Sequence, residues 1–167
     1  AVHAISRVIT SHPDVCLVLE GPDGGLLGAV REAADRLGIA ERVRYVGPLY
    51  GDEKHQAYSC AEITLLPSDE DPYPLVILEA MAHGRPVIGS DAVGPREMIL
   101  HGETGFVVPR GDSDAIAAAV IRLLNDARLR RAMGYRAREV AVRKHSVGGA
   151  VDRLEALYRT HRGGRLR

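Results

Sequence analysis

"EITLLPSDEDPYPLVILEAMAHGRPVIGS", residues 62–90, sets the architecture of the chain around it. "EITLLP" is a short apolar, β-branched run closed by Pro67, which reads as a buried strand. "SDEDPY" is a polar loop, and residues 75–83 carry apolar side chains at helical spacing. "RPVIGS" is then a second buried strand. Strand, helix, strand in that order joins two parallel strands by a crossover.

The same alternation extends outward in both directions. "VCLVLEG", "RVRYVG" and "GFVVP" read as further strands bounded by Gly or Pro, and 25–37, about 52–60 and 94–100 as helices. An opening helix places Val2, Ile5, Val8 and Ile9 on one face. Alternation of this kind predicts an α/β fold: a Rossmann-like parallel sheet of about five strands with helices on both faces. From Asp112 the strand signal stops. "GDSDAIAAAVIRLLND" offers Asp112 and Ser113 as N-caps, with apolar spacing at 116, 120, 123 and 124. Two more helices, roughly 126–144 and 147–161, follow before "RGGRLR" frays. Residues 1–167 are therefore expected to form one domain whose segment 113–161 is a helical tail. In a doubly wound sheet of order 3-2-1-4-5-6 the first strand is central. Here the pattern opens on a helix, so the first strand of the usual six is expected to be missing and the chain to be a fragment. If the sheet holds only these five strands, the one at 15–20 must pair directly with the one at 62–66.

Composition bounds the function classes. The chain has 167 residues, 46% apolar and 26% charged, which suits one globular domain with a sizeable core. No run is apolar enough to span a membrane, and no secretory leader pattern is present. Cys16 and Cys60 both sit in apolar contexts and are expected to be buried reduced thiols, which fits a cytoplasmic setting. Net charge is zero, yet from Arg128 onward there are 12 Lys/Arg against 3 Asp/Glu. Such a basic tail could meet anionic lipid or a partner domain; solvated helix faces are the plainer account. It lacks the aromatic interleaving of a nucleic-acid motif.

The loop between the strand at 62–66 and the helix at 75 lies where open α/β sheets place ligands. Pro74 suits a first helical position, where its missing N–H costs nothing. The N–H groups of Leu75, Val76 and Ile77 are then unpaired within the helix and, with the helix dipole, make an anion site suited to a diphosphate. Carboxylates repel a diphosphate, so Asp71 and Glu79 need another task. A carboxylate can accept from both hydroxyls of a vicinal diol. Glu79 lies within the apolar "VILEAMA", where a charge without a partner is costly. Phosphate at the helix start with sugar hydroxyls on the two acids describes a sugar nucleotide.

At this point the residues resemble retaining glycosyltransferases of the family 4 type, with the two-domain GT-B fold. The likeness covers nearly the whole chain and falls on that family's C-terminal, donor-binding domain. "LVLEGPDG", with Gly21, looks like its strand-plus-glycine turn. "RVRYVGPLYGDEKHQAYSCAEITLLPS" is similar to the stretch running from its base-contacting loop to its pre-motif serine. "DPYPLVILEAMAHGRPVIGSDAVGPREMILHGETGFVVPRGD" resembles its signature block throughout.

The resemblance implies roles. Glu79 matches the second acid of an E-x7-E motif and would bind the donor ribose. Asp71 matches the first and would act catalytically, facing the transferred sugar. The backbone of Tyr73, Pro74, Leu75 and Val76 would meet the sugar and diphosphate. Gly47 and Leu49 would contact the base, and the amides around Gly94 the phosphates. Glu97 is the acid of that last turn, with a structural role equally open. Three positions depart from the family pattern: Asp for Glu at 71, Pro for Gly at 74, and Val for Gly at 93. The implied reaction moves a sugar from a nucleoside diphosphate, with UDP or GDP foremost, to a hydroxyl acceptor with retention and without a metal or other cofactor. The acceptor-binding N-terminal domain and the phosphate-binding Arg and Lys would lie outside this chain. Enzymes of this kind often work at a membrane face, so peripheral contact at the inner face of the cell membrane is implied too. A non-catalytic nucleotide-sugar module, a GT-B sugar phosphorylase and a nucleotide-sugar epimerase are the rival readings. His55, His83 and His101 read as separate histidines, none spaced for a metal, with His83 at a helix end.

Overall fold

The computed structural model describes residues 1–161; the "RGGRLR" end read as fraying lies outside the described residues. Five short strands form: β1 (Leu17–Glu20), β2 (Val43–Gly47), β3 (Thr64–Leu66), β4 (Val87–Ser90) and β5 (Gly105–Val108). Helices α1 (Val2–Ser11), α2 (Leu27–Arg36), α3 (Gly51–Cys60), α4 (Leu75–Ala82) and α5 (Val93–Met98) alternate with them. The tail consists of α6 (Ser113–Asn125), α7 (Ala127–His145) and α8 (Val147–His161). This is the Rossmann-like α/β architecture that the alternating pattern predicts.

Every ladder is parallel, as crossover helices require. β1 pairs with β2, and β3 pairs with β4, which pairs with β5. Successive side chains of β4 point to opposite faces, and both faces are covered. Ile88 joins an apolar cluster with α1 and α6, where Val8 and Leu123 are fully buried. Val87 joins a second cluster with Ile77, Ala80 and Met81 of α4 and Ala137, Val140 and Ala141 of α7. That two-sided burial explains why "PVIGS" is continuously apolar rather than alternating.

One expectation fails. The strands form two sheets, ordered β1-β2 and β3-β4-β5, and no ladder joins β1 to β3. β1 and β3 each keep one unpaired edge, although Leu17 of β1 and Ile88 of β4 belong to one apolar cluster, with Leu65 of β3 packed against it. Direct pairing of 15–20 with 62–66 is therefore not how the chain resolves the absence of a central strand.

The cysteines are a second correction. Both are exposed. Alternation along β1 turns Leu17 inward and so Cys16 outward. On α3 the inward stripe is Lys54, Ala57 and Tyr58, continued by Ala61, and Cys60 falls on the opposite side.

The tail is capped as its sequence indicates. Asp112 accepts from the amides of Asp114 (3.0 Å) and Ala115 (2.8 Å), and Asp126 accepts from Leu129 (2.8 Å). Several tail arginines are spent within the molecule: Arg130 on Glu62, Arg136 on Glu103 and Glu139, Arg143 on Glu139 and Arg159 on Glu155. Among the described residues no helix is long and apolar enough to cross a membrane.

α7 reaches the turn after α4 at Gly134, where any added Cβ would collide with the carbonyl oxygen of Gly84. Gly134→Ala is expected to destabilise the domain by about 1–3 kcal/mol through overpacking. Gly28→Ala, in open space within α2, should be neutral or stabilise by about 0.5–1 kcal/mol. Denaturant unfolding of the two variants checks the contrast.

Candidate nucleotide-sugar site

The carboxyl ends of the strands carry two groups of polar contacts. At the ends of β1 and β2, the Gly21 amide donates to the Gly47 carbonyl (3.1 Å) and the Tyr45 hydroxyl to the Gly21 carbonyl (3.0 Å). The Leu49 amide donates to Glu20 Oε1 (3.2 Å). Gly21, from one motif, and Gly47 and Leu49, from another, thus share one loop cluster. Glu20, which holds the Leu49 amide, is not among the residues singled out by sequence.

The second group surrounds the start of α4. Pro74 is buried, and it is the N-cap rather than the first helical residue, with φ −71° and ψ 105°. Its carbonyl accepts from the Ile77 amide (3.0 Å), while the Tyr73 amide donates to Asp71 Oδ1 (3.2 Å). The anion site read from sequence is therefore narrower than three helical amides. Leu75 and Val76 are the two whose N–H groups have no partner among the described residues.

Gly94 takes a different role from the one expected. Its amide donates to the Asp71 carbonyl (3.1 Å), and a Cβ there would strike that oxygen and the Pro74 ring. Gly94 lets the 71–74 loop close onto α5, and in this arrangement its amide is not offered to a phosphate. Val93 at the preceding position is exposed, as is Glu97. The Tyr73 hydroxyl pairs with His145 Nδ1 (3.2 Å), tying the same loop to the end of α7.

Glu79 lies one turn into α4 and is neither free nor unpartnered. Lys54 Nζ donates to Oε1 (2.8 Å) and the Tyr58 hydroxyl to Oε2 (2.9 Å). The Lys54 and Glu79 side chains are 30% and 35% exposed, and an ion pair this open contributes about 0.2–1 kcal/mol. Its chief effect is orientation. Tyr58 is buried and stacks on His83, ring centroids 5.2 Å apart. Burial first, then the bond to Glu79 and the charges of Glu79 and Glu20, push the Tyr58 phenol well above its ordinary range. Glu20 thereby links the two groups electrostatically.

His83 ends α4, as expected, and its Nδ1 lies 2.7 Å from the Glu79 carbonyl. A carbonyl only accepts, so Nδ1 carries the proton. His55 is not separate: its Nδ1 lies 3.1 Å from His83 Nε2. The independent-histidine reading fails because α3 and α4 lie side by side. Among the described residues no three His, Cys, Asp or Glu gather as a metal site would need.

Lys54 and Tyr58 are the residues that sequence reading missed. Their i, i+4 spacing on α3 was the available signal, but which element α3 faces is settled only by tertiary packing.

The fold and the placement of its loops define a Rossmann-like α/β domain with polar groups assembled at the carboxyl ends of parallel strands. The chain belongs to the glycosyl transferases group 1 family, whose model matches residues 1–140. It is 37% identical over 145 residues to an exopolysaccharide phosphotransferase of Streptomyces coelicolor, covering 86% of this chain and 15% of that protein. To the N-acetyl-alpha-D-glucosaminyl L-malate synthase of Bacillus anthracis it is 34% identical, covering 94% of this chain and 40% of the relative. Among solved structures, sucrose-phosphate synthase from Thermosynechococcus elongatus superposes with a TM-score of 0.83 at 28% identity, over 95% of this chain and 41% of that one. Anabaena HepE, solved with UDP and glucose, gives 0.84 at 22% identity over 95% and 44%, a likeness of fold. The chain thus spans less than half of the length of each of these proteins.

The raised Tyr58 phenol has a signed consequence. Below pH about 10, the ordinary phenol value, folded and unfolded chains both keep the proton and the Tyr58 contribution to stability is whole. Above it the unfolded chain ionises first, so that contribution is lost as pH rises toward the folded value. Tyr58→Phe should remove a late, high-pH component from the phenolate absorbance titration and flatten the alkaline loss of stability. An alkaline titration and stability profile left unchanged by Tyr58→Phe would contradict the assignment.

Proposed function

We propose that this chain is the donor-binding part of a glycosyltransferase that moves a sugar from a nucleoside diphosphate to a hydroxyl acceptor with retention of configuration. The observation that carries the reading is the start of α4. Two amides without a partner among the described residues, Leu75 and Val76, stand between a loop bearing Asp71 and a glutamate held one turn below. Membership of the family supports the reaction class, and the signature-block resemblance supports the division of roles.

In this reading the diphosphate meets the Leu75 and Val76 amides at the positive end of α4, and Glu79 accepts from the ribose hydroxyls. Asp71 faces the sugar, with Oδ2 carrying no bond among the described residues and Oδ1 receiving the Tyr73 amide. The bond from the anomeric carbon to the diphosphate oxygen breaks, and the acceptor oxygen bonds to that carbon on the same face. The acceptor proton leaves with the displaced group or solvent. Charge growing on the diphosphate is stabilised by preorganised amides and by basic side chains from outside these residues, rather than by a metal or cofactor. The shorter Asp71 in place of Glu, and Pro74 in place of Gly, mark a site shaped for its own sugar.

The acceptor domain belongs to the rest of the protein, and so does the strand that would lie between β1 and β3. The unpaired edges of these strands and the partial span of the relatives support both statements. The base, sugar, acceptor and any membrane contact are properties of that whole protein. A non-catalytic binding module is separated from an enzyme by assay of the full-length protein for donor turnover, and a phosphorylase by transfer to phosphate.

Glu79→Ala in the full-length protein is expected to weaken nucleoside-diphosphate binding about tenfold to a hundredfold, the range for bonds to a charged acceptor. Asp71→Ala should leave free-nucleotide affinity within about twofold and depress transfer. Calorimetry and donor-turnover assays read the two. Unchanged affinity in Glu79→Ala, or lost nucleotide affinity in Asp71→Ala, would overturn the division of roles.

A further inference from the structure

Glu79 has three rotatable side-chain bonds and a partly exposed carboxylate, so α4 alone does not fix where its oxygens point. Two donors from α3 do. Lys54 Nζ approaches Oε1 at 2.8 Å and the Tyr58 hydroxyl approaches Oε2 at 2.9 Å, one donor on each oxygen. A carboxylate offers about four acceptor positions, which leaves one on each oxygen. That remainder matches the paired hydroxyls of a vicinal diol.

The donors are themselves held. Tyr58 is buried and its ring stacks on His83 at an interplanar angle of 26°. His83 donates from Nδ1 to the Glu79 carbonyl, so its Nε2 is an acceptor when the ring is neutral, and His55 Nδ1 supplies the donor at 3.1 Å. The ring under Tyr58 is thereby tied to the backbone of the residue that Tyr58 orients. Lys54 and Tyr58 lie one turn apart on α3, so both donors move as one rigid element.

We infer that Lys54 and Tyr58 are positioning residues for a diol-binding Glu79, each holding one carboxylate oxygen so that the remaining acceptor of each faces the ligand. This inference rests on the ribose role of Glu79 proposed above. On this inference both residues act through Glu79, so their effect is on the discrimination of hydroxyls. A structural role would instead weaken every nucleotide alike.

The test is calorimetry on the full-length protein with UDP, GDP and ADP, followed by the 2′,3′-dideoxy form of whichever binds most tightly. The unmodified protein should prefer the ribose form by about tenfold or more, as bonds to a charged acceptor require. Tyr58→Phe and Lys54→Met should each cut that preference by about threefold to tenfold while leaving dideoxy affinity unchanged. Lys54→Arg should retain more of the preference than Lys54→Met, because it keeps the donor. Equal loss for both ligand forms in the two variants, or no change in preference, would overturn the positioning role. Glu79→Gln separates the two layers of argument: if it leaves the preference of the unmodified protein intact, the ribose reading itself fails and the inference with it. If it abolishes the preference while Tyr58→Phe and Lys54→Met preserve it, the positioning inference alone fails.

Discussion

The Glu79 carboxylate is where side chains of α3 and α4 meet, and the site is built around its charge. An ionised glutamate one turn into an otherwise apolar helix would rotate α4 or draw water into the core unless it were paired. Lys54 and Tyr58 supply that pairing from α3, and His83 and His55 brace the tyrosine from below. The rest of α4 is then free to bury Ile77, Ala80 and Met81 against α7. These two polar contacts settle which way the functional group of α4 faces.

A second constraint is steric. The loop that precedes α4 can lie against α5 only because residue 94 has no side chain, and α7 can close on the end of α4 only because residue 134 has none. These two close approaches set the helix from both ends. Its Leu75 and Val76 amides are therefore held in place by packing outside the crevice. The sheet imposes a contrasting openness: the unpaired edges of β1 and β3 leave the middle of the fold without a ladder. The apolar cluster under α1 and α6 bridges the two sheets instead.

Much of this was legible in the residues. Strand and helix order came from apolar runs punctuated by Gly and Pro, because backbone periodicity is a local property. The placement of the 68–74 loop beside a helix start followed from the strand that ends at Pro67. The need for a Glu79 partner was also readable, since "VILEAMA" surrounds a charge with apolar neighbours. The identity of the partners was not, because Lys54 and Tyr58 are distant in sequence and only the packing of α3 against α4 brings them near. Backbone amides were the other blind spot. The Ile77 amide looked available from its place in the helix and the amides around Gly94 from the resemblance, yet Pro74 accepts from the first and Asp71 from that of Gly94. The outward cysteines failed for a similar reason: apolar neighbours in sequence do not fix which face of a strand or helix a residue occupies.

The most direct measurement is a crystal structure of the full-length protein with the nucleoside diphosphate that it binds most tightly. The account predicts both ribose hydroxyls within hydrogen-bonding distance of Glu79, Lys54 and Tyr58 still donating to it, and a phosphate oxygen on the Leu75 or Val76 amide. A nucleotide bound with its ribose away from Glu79, or a diphosphate that ignores the start of α4, would contradict it.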